Sequence, residues 1–381
     1  MKRNRALGAA VALGALLAAC APAPPDAQAL LDRRARALLD GDRAAFTATG
    51  APALWKPQHA LPLAAWRYRV TARRGEDGAT DGATDGATDG ATVEAELRYR
   101  LERDVQAATT RRELTLARDA DGSWRVTADR PAPGEPEQLW DQGAALRTAV
   151  TARTLVVAAG PADPGAWTGP GDTAARAVRA AWDTGVRPVI VVPDSTDAMA
   201  RLLGAPTGTY RDTAAVTTPG EAPRVVVNPE AWQALGEEAR QVVLTHETAH
   251  VALRARTTPR TPMWLSEGCA DWTAYRTSRQ DPARTAPALA RAVRQGDVPQ
   301  RLPADGDFAF GGDAGTVGRA YEGAWLACRL VADRWGDEAV RDLYEAAGTD
   351  GEEAALRRVL DVDRDGFTAL WRESLRRDLN G

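Results

Sequence analysis

The sequence predicts an α+β protein built in two parts. A helical segment, Ala27–Leu39, precedes runs in which apolar and polar residues alternate. A longer region follows, in which strand-like and helix-like runs interleave. At 381 residues the chain is also too long for one typical domain.

Taken in order, the first residues read as a targeting segment. "MKRNR" is basic, and "ALGAAVALGALLAA" is an apolar stretch too short to span a membrane stably. Leu17, Ala18, Ala19 and Cys20 follow, and "LAAC" resembles the lipobox of bacterial lipoproteins. That resemblance implies cleavage after residue 19, diacylation of Cys20 and a protein lipid-anchored at the extracytoplasmic face of the cell membrane. Residues 20–28, rich in Pro and Ala, would then be a tether.

Residues 29–130 form the first predicted domain. The spacing of Leu and Ala from Ala27 to Leu39 gives a helix that stops at Asp40-Gly41. "AAWRYRVTARRG", "TVEAELRYRLERD" and "ATTRRELTLARDADGSWRVTAD" alternate as half-buried antiparallel strands do, and "DADGSW" marks a hairpin turn. One helix on a curved antiparallel sheet resembles the nuclear transport factor 2-like domains (a cystatin-like arrangement) found in bacterial lipoproteins. Four tandem DGAT tetrapeptides at 77–92 read as a loop between strands, because no large apolar residue recurs to build a repeat core.

Residues 131–147 are expected to be a linker, on the Pro and Gly content of "DRPAPGEPEQ". Residues 148–381 are expected to be a second α+β domain. "RTLVVAAG", "RPVIVVPD" and "PRVVVNP" read as strands, and "DTAARAVRAAWDTG" and the Ser-capped "STDAMARLLG" as helices. "GEEARQVVLTHETAHVALRAR" reads as a long helix, acidic at its start and ending in Arg, as the helix dipole favours. "DVDRDG" at 361–366 opens like a calcium loop, but its twelfth position is Arg372 where a bidentate Glu is required. A capped start to the final helix is the better reading.

The chemistry is concentrated in "LTHETAHVAL". His246 and His250 are four residues apart on a helix, so both imidazoles project from one face. Glu247 lies about 100° round from His246, within reach of a water on the same metal. A catalytic zinc takes three protein ligands and keeps one position open. The chain has three histidines, and none follows His250; the metzincin position six residues on is Arg256. The third ligand is therefore a carboxylate, or His59 reaching in from the first domain.

"PMWLSEGCADW" offers the carboxylate. With His246, Glu247 and His250 it resembles the gluzincin metallopeptidases of the peptidase MA-like group. That resemblance implies one zinc ion held by His246, His250 and Glu267, with Glu247 as general base. It implies that Asp271, one turn beyond Glu267, accepts the free N–H of a ligating histidine. Many gluzincins steady the oxyanion with a downstream His or Tyr; the candidates here are Tyr275, Tyr321 and Tyr344. "GRAYEGAWLACRLVADRWG" resembles the helix that carries such a Tyr in aminopeptidase-type relatives, which favours Tyr321. No exopeptidase signature precedes the zinc helix, and "RVVVNPEAW" stands there as a possible edge strand for a peptide substrate.

Cys269 and Cys328 fall on two helices expected to flank the metal. Outside the cytoplasm they are a possible disulfide. The net charge of −4 gives no sign of a nucleic-acid partner. The expected partners are a peptide or protein substrate and, through the lipid, the membrane. The alternative is a non-catalytic binding or scaffold lipoprotein with a vestigial zincin domain.

Overall fold

A computed structural model describes residues 27–74, 89–278, 280–309 and 313–380. The targeting segment, Cys20, the tether as far as residue 26 and the repeat from 77 to 88 lie outside the described residues. The protein is α+β, with the expected N-terminal helix against an antiparallel sheet.

The first sheet runs β1 (Leu63–Arg74), β2 (Asp89–Leu101), β3 (Ala108–Arg118) and β4 (Trp124–Pro131), in that order and antiparallel throughout. The last DGAT copy, Asp89–Thr92, is the start of β2 and not loop, and its Ala91 is buried opposite Leu116. Val93, Ala95, Leu97, Tyr99 and Leu101 continue that buried face at every second residue. The helix Ala27–Leu39 lies against the sheet and buries Leu30, Leu31 and Leu38.

Arg112 occupies an inward register of β3 and is fully buried. Its guanidinium donates to Asp129 Oδ1 (2.7 Å) and to both carboxylate oxygens of Asp141 (2.8 Å each). Tyr68 Oη donates to the other Asp129 oxygen at 2.6 Å. Burial works against the arginine's charge, but the two carboxylates outweigh it and hold the guanidinium firmly protonated. Asp141 belongs to the segment read as a linker. That segment is packed, with Leu139 and Trp140 buried, and it leads into β5 (Leu146–Val150).

The second sheet is mixed, in the order β5, β6 (Leu155–Ala159), β7 (Val189–Val192), β9 (Val225–Val227) and β8 (Ala215–Thr217). The three central strands are parallel and wholly buried, which explains their unbroken apolar runs. Leu155, Val157, Val189, Val191 and Val226 face the core of the first sheet, so the two parts share one core. Val156, Ala158, Ile190, Val192, Val225 and Val227 face the helices on the other side. "RVVVNP" therefore holds an interior strand, β9. The edge belongs to β8, antiparallel to it, which a three-residue strand does not announce in sequence.

The rest of the chain is helical around a second large core. Asp363 caps the final helix, Arg364–Leu379, by accepting from the Gly366 N–H at 2.8 Å. The DVDRDG segment thus serves as a helix start, as expected.

Candidate metal centre

Three helices build the site. The HETAH helix, Glu237–Leu253, opens with Glu237 and Glu238 and lies beside β8. The SEGCAD helix, Met263–Tyr275, packs on it, and the Tyr321 helix, Ala314–Trp335, packs on the SEGCAD helix in turn.

His246 Nε2, His250 Nε2 and Glu267 Oε2 form a triangle with edges of 3.1, 3.2 and 3.3 Å. Around a tetrahedral zinc at about 2.0–2.1 Å, adjacent ligand atoms are separated by about 3.3 Å. The triangle therefore has the dimensions of one face of such a site. His246 Nδ1 lies 2.8 Å from Asp271 Oδ1. A carboxylate accepts, so Nδ1 donates its proton to Asp271, and Nε2 is the ring atom directed at His250 and Glu267. Three ligand atoms converging at this distance have the geometry to hold a metal ion between them. The His-His-carboxylate donor set suits zinc.

The surrounding field has the same sense. Burial disfavours the charged form of His246, but Asp271 and then Glu267 outweigh it and raise its pKa well above the ordinary value. Burial likewise opposes ionisation of Glu267, yet His250 and His246 hold its carboxyl far below the usual carboxylate range. His59, the other possible third ligand, is elsewhere: its ring stacks on Trp55 with centroids 4.4 Å apart. Among the described residues, the only grouping of three or more His, Cys, Asp or Glu with metal-ligand geometry is His246, His250 and Glu267.

Glu247 is nearly buried. The Thr217 hydroxyl lies 2.7 Å from Glu247 Oε2 and 3.0 Å from the Glu247 main-chain oxygen. Thr217, at the end of β8, is absent from the sequence reading, and a polar residue in so short a strand gives no signal there.

Of the three tyrosines, Tyr321 lies beside the ligands. Its ring centroid is 6.3 Å from that of His246, and Phe308 braces it edge-on at 5.2 Å. Burial, then the carboxylates of Glu267, Asp271 and Glu247, push its pKa well up, so its hydroxyl keeps its proton at neutral pH. Tyr275 leans on Trp325. Tyr344 is fully buried, with its hydroxyl 2.7 Å from that of Thr257.

Cys269 and Cys328 meet between the SEGCAD and Tyr321 helices, but as free buried thiols with sulfurs 3.5 Å apart. Of the two readings, a bridge or two buried thiols, the structure has the thiol pair, since a disulfide has its sulfurs about 2.05 Å apart. Burial, then the neighbouring Cys269, push the Cys328 thiol well above its ordinary value.

No protein-family model matches the chain, and no curated protein matches it.

Proposed function

We propose that this chain is a gluzincin-type zinc metallopeptidase, lipid-anchored through Cys20 at the extracytoplasmic face of the cell membrane. It hydrolyses peptide bonds in peptide or protein substrates. The observation that carries this reading is the His246–His250–Glu267 triangle with Glu247 on the next stripe of the same helix.

Bound zinc would supply a Lewis acid and an acidified water. The chain's own residues do the remaining work. Asp271 fixes the tautomer of His246. Glu247 accepts the proton of the attacking water and returns it to the leaving amine. The Thr217 hydroxyl keeps the Glu247 carboxylate in one orientation. The protonated Tyr321 hydroxyl donates to the developing oxyanion. The free edge of β8 offers backbone groups to an extended substrate.

The test is hydrolysis of a broad fluorogenic peptide set by the full-length chain in non-ionic detergent, with and without chelator. Zinc-dependent turnover that Glu247→Gln abolishes while keeping its zinc is the expected result. A zinc-loaded protein inert toward every peptide would favour the scaffold alternative.

A further inference from the structure

A groove of about 1280 Å³ opens beside the ligand cluster without including any of the ligands. Arg100, Arg103, Arg153, Arg179, Arg187 and Arg254 line it. None of the six forms an ion pair among the described residues, although the chain as a whole is acidic, with a net charge of −4. Only three carboxylates share the lining, and one of them, Asp104, is already engaged by Arg224. Low-dielectric walls around like charges focus the potential within a cleft, so this groove attracts anions.

Two connections tie the groove to the metal centre. Along the HETAH helix, His246, His250 and Arg254 repeat at four-residue spacing on one stripe, and Glu247 and Val251 on the next. Arg254 is thus about 6 Å along the helix from His250. The second connection is the β8–β9 hairpin. Its β8 end holds Glu247 through Thr217, while its tip, residues 220–223, forms one wall of the groove. Arg254 Nε approaches the Gly220 carbonyl there at 3.4 Å. A peptide extended along β8 rises about 3.3 Å per residue, so side chains two or three residues from the cleaved bond arrive at Arg254.

We propose that the groove selects substrates by an acidic segment two or more residues from the scissile bond. The arginines supply specificity and attraction, not chemistry. This deepens the peptidase reading and rests on it for the position of the cleaved bond. A peptide is favoured over an anionic membrane surface because the charges line a concave groove whose Arg254 lies on the same helical stripe as His246 and His250.

The experiment uses full-length, zinc-loaded protein in non-ionic detergent with rhodamine-labelled hexaglutamate and hexaglutamine, followed by fluorescence anisotropy. Hexaglutamate should bind at least about tenfold tighter at low salt, and added salt should erode the difference. Arg179→Gln/Arg187→Gln/Arg254→Gln should remove about tenfold of that affinity with zinc content and Tm unchanged. The wild-type salt dependence gives an independent reading if the triple variant misfolds. Equal binding of the two peptides overturns the proposal, as does a preference for phosphatidylglycerol mixed micelles over hexaglutamate. In turnover assays, hydrolysis indifferent to Glu or Gln at the flanking positions sinks the groove proposal and leaves the peptidase. Charge-selective binding without any hydrolysis does the reverse.

Discussion

A methyl group on Gly268 would lie 2.3 Å from the carbonyl oxygen of Ala324 and 2.9 Å from the sulfur of Cys328. The SEGCAD and Tyr321 helices therefore touch backbone to backbone next to Glu267. Gly268→Ala must push them apart, and a helix backbone cannot yield by that much locally. The expected cost is about 1–3 kcal/mol of stability from overpacking. Because Glu267 and Asp271 ride on the displaced helix, zinc content should fall with it. Unchanged Tm and full zinc in the purified variant would contradict this account of the helix contact.

The buried Arg112–Asp129–Asp141 cluster makes a separate prediction. Arg112→Met removes the cation that both carboxylates bond, leaving them buried without it. A loss of about 3–5 kcal/mol is expected in urea unfolding. Since the first sheet shares its core with β6, β7 and β9, Trp fluorescence and zinc release should report one transition. Zinc retained after the first sheet has unfolded would show that the two parts are independent.

The thiol pair is checked by counting. Cys269 and Cys328 are fully buried, so native protein should react with a thiol reagent at neither, and unreduced denatured protein at both. Denatured, unreduced protein without thiols at these two positions would restore the disulfide.

What the sequence made legible was local. The HETAH periodicity and the one-turn spacing of Glu267 and Asp271 need only helix geometry, so those side chains fell where the pattern put them. The alternation of β2 did the same for its buried face. Features that depend on distant segments did not show. Three residues are too few for β8 and β9 to declare which is the edge, and Thr217 acquires its meaning only beside Glu247. Gly268 reads as a poor helix residue until Ala324 is placed against it. Arg112 did leave a trace, since the alternation of "TTRRELTL" sets it inward, in register with Leu114 and Leu116.

Two hydroxyls should separate by kinetics. Tyr321→Phe is expected to lower kcat about 100-fold with KM little changed, because a lost oxyanion donor acts in the transition state alone. Thr217→Val keeps the shape of the edge strand but frees the Glu247 carboxylate, so kcat should fall by about tenfold, a smaller loss than removing the base itself. Both variants should keep their zinc. Full activity in Tyr321→Phe would assign the oxyanion elsewhere, and full activity in Thr217→Val would reduce its hydrogen bond to a structural one.

The acid dependence of metal binding follows from His246. Without metal, Asp271 and Glu267 raise its pKa well above 6.5, so the folded chain holds a proton there that an unfolded chain gives up. That proton stabilises the metal-free fold fully below pH 6.5, and the contribution fades as pH rises through the raised folded value. Zinc requires a bare Nε2, so binding near pH 7 must expel the proton. Zinc affinity should therefore climb with pH up to the raised value, by up to about tenfold per unit. Calorimetric titration in buffers of different ionisation enthalpy should find about one proton released per zinc at pH 7. Asp271→Asn removes the larger of the two carboxylate effects, so it should release less than one proton and still bind zinc more weakly, having lost the acceptor that orients the ring. Zinc binding in the wild type with no proton release would mean that His246 is already neutral, and that its carboxylate partners do not govern the site.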